Sequence, residues 1–349
     1  LNAMRIKSKY LWVLGLLPGS AATAFAQTQA EQVANVAPIA YNQQLMHERE
    51  VVVGADGFQL PGTLTLPISA SADKKVPCVV LVHGSGPNDR DETLGPNKPF
   101  RDLAWLLAEE GIATLRYDKR TKVYGGRYIP EGRESDYDVE AVDDAVAIVE
   151  QVAIYPEIDA ERIYLLGHSL GGTLAPRVAQ RSGRLAGVIL LAGAARPLED
   201  LLIEQVEYIN SLSPSKEAEA QIAVLKRQAA NVKKLGAYGY DETLPPLMNL
   251  PLSYWKFANA YKPLEVVATL NIPILVMQAE RDYQVTTTDL SLWQMALMFN
   301  AKARFQSYPA LNHLFMEGEG KATPQEYNQP ARVPAYVAKD MAKFIYQEQ

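Results

Sequence analysis

From Val76 onward, short apolar runs alternate with amphipathic stretches. Residues 79–82 are continuously apolar, as expected of a strand covered on both faces. Phe100, Leu103, Ala104 and Leu107 then recur at helical spacing until Gly111 ends the helix. Residues 112–117 predict the next strand. Val139, Val142, Val146 and Val149 line one face of a following helix. Asp136, Asp138 and Glu140 sit near its start, where the helix dipole favours acids. Strand, helix and strand are predicted over 162–166, 170–181 and 188–192, then strands over 274–278 and 303–308 and a terminal helix over 334–346. This alternation requires a mostly parallel sheet joined by crossover helices, an α/β architecture. Pro176 is at odds with its helix, because it removes a backbone hydrogen bond.

Two segments depart from the alternation. Residues 48–53 and 58–66 are β-like runs separated by Gly54-Ala55-Asp56-Gly57, which predicts an opening antiparallel hairpin. Over 198–262 long helical stretches and Tyr- and Pro-containing segments replace the strands, so a helical cap inserted over the sheet is expected. The core is then 47–197 and 263–349, with 27–46 as a polar linker. No internal repeat or low-complexity tract is evident.

The N-terminus has its own pattern. Arg5, Lys7 and Lys9 precede an apolar run over 11–17, and small residues end in Ala24-Phe25-Ala26. This is the layout of a signal peptide cleaved after Ala26, with Leu1-Asn2-Ala3 as an addition ahead of Met4. A membrane anchor is the alternative, but the run is short and Pro18-Gly19 interrupts it. Gln27, where a lipid-bearing Cys would stand, offers no attachment point. The expected location is exported, periplasmic or secreted.

At 349 residues, 48% hydrophobic and 21% charged, the chain has an ordinary globular composition. Its formal net charge is -6; losing the leader's three cations and no acid would take that to -9. Nucleic acid and anionic membrane surfaces are thus unexpected partners. The single cysteine, Cys78, excludes an intramolecular disulfide, and four scattered histidines give no metal-ligand spacing.

Candidate chemistry centres on Gly167-His168-Ser169-Leu170-Gly171, with Gly172 next, between a predicted strand and a predicted helix. That context is what a nucleophile elbow needs: a strained turn that lifts the serine hydroxyl above the sheet, flanked by glycines that leave room for crowded backbone. A serine needs a base to take its proton and a carboxylate to fix that base's tautomer. Asp282 follows the strand at 274–278 and is the favoured acid over its rivals Glu280 and Asp289. His313 follows the last strand and is the candidate base. The oxyanion donors expected are the N–H groups of Leu170 and of Ser85, with Gly86 as the alternative to Ser85. Gly86, His168 and Arg90 are candidate substrate contacts, although the His168 side chain is expected to point away from the serine. Asp89, Arg90 and Asp91 could equally hold their loop by salt bridges. Asp118, Lys119 and Arg120 read as structural. Tyr208, Tyr238, Tyr240, Tyr254, Trp255, Phe257 and Tyr261 could wall a pocket.

Together, HGSGPNDRDE (83–92), GHSLGG (167–172), ERDYQV (280–285) and His313 resemble the α/β-hydrolase superfamily. Residues 95–121 further resemble bacterial carboxylesterases described as serine-aminopeptidase-like hydrolases. The resemblance covers about 48–347. It implies an eight-stranded, mostly parallel sheet and hydrolysis of small-molecule acyl esters without a cofactor. Two other readings stay open. One is a serine peptidase, which an acidic cluster of Asp89, Asp91 and Glu92 binding an α-amino group would favour. The other is an inactive ligand-binding homologue. Oligomeric state is not predicted.

Overall fold

The computed structural model describes residues 39–347. The expected leader and residues 27–38 of the expected linker lie outside them. Eight strands form one sheet in the order β1-β2-β4-β3-β5-β6-β7-β8. Strand β1 (Met46–Val53) pairs antiparallel with β2 (Leu60–Pro67), which pairs antiparallel with β4 (Ala113–Tyr117). The remaining strands, β3 (Val76–Val82), β5 (Ile158–His168), β6 (Gly187–Leu191), β7 (Ile274–Ala279) and β8 (Ala303–Tyr308), run parallel to β4 and to one another. The fold is α/β, mostly parallel, with the hairpin at one edge.

Alternation along the buried strands divides the core in two. Cys78, Val80, Val82, Leu165, Val188, Leu190 and Val276 face α3 (Asp143–Val152), α4 (Leu170–Ser182) and α9 (Thr287–Ala296). Val79, Leu81, Leu166, Ile189, Leu191, Leu275 and Met277 face α1 (Pro99–Glu109) and α10 (Ala335–Tyr346). Successive side chains of a strand point to opposite faces, and helices cover both faces here, so these strands read as unbroken apolar runs. Helix α4 continues through Pro176 to Ser182. A short α2 (Arg120–Tyr124), which the apolar pattern does not announce, follows β4.

Between β6 and β7 lie α5 (Leu198–Leu212), α6 (Lys216–Val232), α7 (Leu252–Ala260) and α8 (Pro263–Ala268). Leu202, Val206, Ile222, Ala229, Val232, Leu247 and Trp255 form a separate small core there. Ser215 caps α6 by accepting from the Ala218 N–H. Among the described residues no helix is long and apolar enough to cross a membrane.

Candidate active site

Strand β5 ends at His168 and α4 begins at Leu170, so Ser169 occupies the turn itself, at φ 53° and ψ -117°. A non-glycine residue there is strained, and close packing holds it in place. A Cβ on Gly171 would lie 2.2 Å from the Val82 carbonyl oxygen, and one on Gly167 2.1 Å from that of Gly171. Strand end, turn and helix start are therefore pressed together at distances only glycine permits. The Ser169 N–H is tied to the Leu191 carbonyl at 3.0 Å, fixing the turn against β6.

His313 lies in the loop after β8, and its Nδ1 is 2.5 Å from Oδ2 of Asp282 in the loop after β7. Asp282 is buried, and its other oxygen accepts from the N–H groups of Gln284 and Val285. The carboxylate thus has a fixed orientation, and an acceptor at Nδ1 favours the tautomer with the imidazole hydrogen there. The rival acids are engaged elsewhere. Glu280 accepts from the Ser307 hydroxyl at the surface. Asp289 is fully buried as the capping-box acid of α9 and holds Arg196 and the Ala195 N–H.

Ser169, Leu170 and His313 line one cavity of about 570 Å³, together with Gly84 and Ser85 of the loop after β3. A Cβ on Gly84 would come within 3.0 Å of Ser169 Cβ, so this loop packs directly against the serine. The Gly84 N–H is taken by Glu92 Oε1 at 2.6 Å, and its carbonyl accepts from Lys119 Nζ at 2.9 Å. Gly86 does not line the cavity. Leu170 opens α4, where a first-turn N–H has no partner within the helix.

The structure places the three candidate substrate contacts in different surroundings. Arg90 lies away from the cavity, bonded to Asp118, Glu50 and the Thr63 hydroxyl, and so fastens its loop to the hairpin edge. Gly86 is a turn residue at φ 89° whose carbonyl accepts from Asn88 and Thr121. His168 borders the cavity; its Nε2 lies 2.9 Å from the His313 carbonyl oxygen, and its Nδ1 lies 2.8 Å from Glu92 Oε2.

A carboxylate at that distance from a buried imidazole bears on whether the ring carries a positive charge. Burial disfavours that charge, but the Glu92 carboxylate outweighs burial, and His168 is held above its ordinary value. Burial likewise works against ionised Glu92, and the imidazolium beside it keeps it below the usual carboxylate range. His83, buried against Phe100 and Tyr117 with neither nitrogen bonded, is pushed down to about 4 by burial.

Sequence reasoning overlooked the roles of Glu92 and Lys119. Glu92 adopts φ 52° and joins the Gly84 loop to the elbow. Lys119 is buried between Gly84 and Glu140, and Glu140 accepts from the Tyr254 hydroxyl. A charged tripeptide after a strand was the only signal, and it did not name a partner.

The expected aromatic wall also differs. Of the seven rings proposed, Tyr261 alone lines the cavity; Trp255 is core and Tyr238 is exposed. Tyr137, Tyr283 and Tyr327, which lie outside 198–262, supply the other rings. Among the described residues no group of three His, Cys, Asp or Glu side chains could hold a metal ion.

The alpha/beta hydrolase family model matches residues 79–329. Esterase EstD of Thermotoga maritima is 35% identical over 321 residues, 91% of this chain and 72% of that protein. Est1E from Butyrivibrio proteoclasticus has a similar structure, with a TM-score of 0.54 at 17% identity, covering 85% of this chain and 98% of that one. Dipeptidyl peptidase 4 of Porphyromonas gingivalis gives 0.53 at 17% identity over 87% of this chain, which spans only 36% of the peptidase's length. Those two likenesses concern the fold, whereas the family match extends over most of the sequence and contains the serine, the aspartate and the histidine. The chain belongs to the alpha/beta hydrolase family.

Proposed function

We propose that the protein is a serine carboxylesterase that works through an acyl-enzyme. The observation that carries this reading is the bond from His313 Nδ1 to Asp282 beside a cavity that His313 shares with the strained Ser169. His313 Nε2 takes the Ser169 proton as Oγ attacks the ester carbonyl. The Leu170 and Ser85 N–H groups stabilise the oxyanion of the tetrahedral intermediate, because charge develops there in the transition state. Protonated His313 gives its proton to the departing alcohol. Water, activated by the same imidazole, then attacks the acyl-enzyme and releases the acid. Asp282 keeps His313 in the reactive tautomer and stabilises its cation.

An ester substrate is further supported by similarity to Esterase EstD of Thermotoga maritima. The peptidase reading loses its motivation, since Asp91 pairs with Lys98 and Arg116, Asp89 binds its own loop, and Glu92 serves His168. Residues 198–262 would act as a cap over the cavity, and the leader-like residues 1–26 support an exported enzyme. Ser169→Ala should abolish hydrolysis of p-nitrophenyl butyrate and labelling by a fluorophosphonate. Wild-type turnover by that variant would overturn the reading.

A further inference from the structure

The polar groups along the cavity differ in one respect. Most are already partnered: the Tyr261 hydroxyl donates to the Thr173 carbonyl at 2.9 Å, the Thr173 hydroxyl to that of Ala194, Gln205 to the Gln284 carbonyl, and Arg196 to Asp289. Gln205 Oε1 and the Tyr283 hydroxyl have no bonding partner among the described residues, and the same holds of Tyr137 and Glu199. The latter two line the cavity, at 3% and 4% exposure, and neither hydroxyl nor carboxyl bonds another residue among those described. Glu199 reaches only its own backbone N–H.

Buried polar groups are almost always hydrogen-bonded, and an orphan loses stability relative to one in water. Two unpartnered polar groups on the wall of one cavity offer a ligand a donor and an acceptor. The Tyr137 ring is fixed by edge-on packing against Tyr254 at 4.9 Å and Phe257 at 5.6 Å. Glu199 is held in the first turn of α5. Burial, Glu140 and Glu199 together raise the Tyr137 phenol. Burial also raises Glu199 above the usual carboxylate range, as it would with no partner present.

We propose that Tyr137 and Glu199 form a polar subsite that selects esters carrying a hydroxyl group away from the scissile bond. A hydroxyl both donates and accepts, matching a phenol and a carboxyl that line the same cavity. An ammonium is the poorer match, because Lys233 and Lys262 also line the cavity and already supply positive charge to Glu199. The inference rests on the reading that Ser169 cleaves esters and extends it to a substrate class.

The test compares kcat/KM within two pairs: p-nitrophenyl butyrate against p-nitrophenyl 3-hydroxybutyrate, and ethyl butyrate against monobutyrylglycerol. The wild type should favour the hydroxylated member of at least one pair by about tenfold, the value of one well-placed hydrogen bond. Tyr137→Phe and Glu199→Leu should each remove most of that ratio. No preference in the wild type overturns the subsite whether or not the variants fold, and so does an unchanged ratio in folded variants. Preference for the 3-aminobutyrate ester over the 3-hydroxybutyrate ester overturns the assignment to a hydroxyl. Failure to cleave any of these esters defeats the esterase reading itself, a result distinct from cleavage without preference.

Discussion

His168 Nδ1 lies 2.8 Å from Glu92 Oε2, and this buried ion pair joins three loops that the chain separates widely. Glu92 also holds the Gly84 N–H beside Ser169, and His168 also holds the His313 carbonyl. The rings of His168 and His313 are 4.7 Å apart. The side chain next to Ser169 thus ties the Gly84 loop to the His313 loop.

Glu92→Gln keeps the shape and removes the charge. Breaking a buried pair leaves an uncompensated ion, so stability should fall by about 3 kcal/mol, measured by urea unfolding at pH 6. The sign of the pH effect follows from the two shifts. The contribution of His168 is complete below its unfolded value near 6.5 and is lost as pH rises through its higher folded value. The contribution of Glu92 is complete above about 4.5 and is lost as pH falls through its lower folded value. The gap between wild type and variant should therefore narrow above the folded value of His168. An equal gap at pH 6 and pH 9 would argue against a charged pair.

Asp282→Asn should lower kcat on p-nitrophenyl butyrate by about 10⁴-fold, because an amide in that place can leave the imidazole in the wrong tautomer. Glu280→Ala, at a surface position, should change stability by less than about 0.5 kcal/mol and leave kcat/KM near wild type. Comparable losses in the two variants would remove Asp282 from its assigned role.

Acid should destabilise the fold partly through His83. Its folded value of about 4 lies below the ordinary 6.5, so the unfolded chain binds more protons between those limits and stability falls as pH drops from about 6.5 to about 4. The shift is worth about 3 kcal/mol. His83→Leu should lose less stability than wild type over that interval when melting is followed at pH 7 and pH 4.5.

Gly171→Ala would drive a methyl group into the Val82 carbonyl, which neither strand nor helix can vacate cheaply. A loss of about 3 kcal/mol or more is expected from urea unfolding, opposite in sign to the gain of about 1 kcal/mol that Gly→Ala ordinarily brings inside a helix. Near-wild-type stability would mean that the elbow is less tightly packed than these contacts require.

Much of the sheet could be read along the chain because each strand's pattern is local. The apolar runs at 79–82 and 274–278 lie within β3 and β7, that at 188–192 lies within β6 but for its last residue, and Gly54-Ala55-Asp56-Gly57 falls between β1 and β2. The elbow was legible for the same reason, since strand, serine and helix are contiguous. Choosing Asp282 over Glu280 and Asp289 rested only on distance past a strand end. The structure separates the three by burial and partner: His313 for Asp282, Ser307 for Glu280 and Arg196 for Asp289.

Other parts of the site depended on contacts between distant residues. Arg90 reads as a free cation until Asp118 and Glu50 meet it, and the rings in 198–262 read as a wall until Trp255 turns into their own core. Tyr137 and Glu199 carry no motif, and their unmatched polar atoms appear only once the fold buries them in one cavity. Periodicity and a five-residue turn can specify elements and a nucleophile because their physics acts over a few neighbouring residues. Which charges are paired, and which are not, is decided by burial against elements far along the chain, and so by the tertiary structure alone.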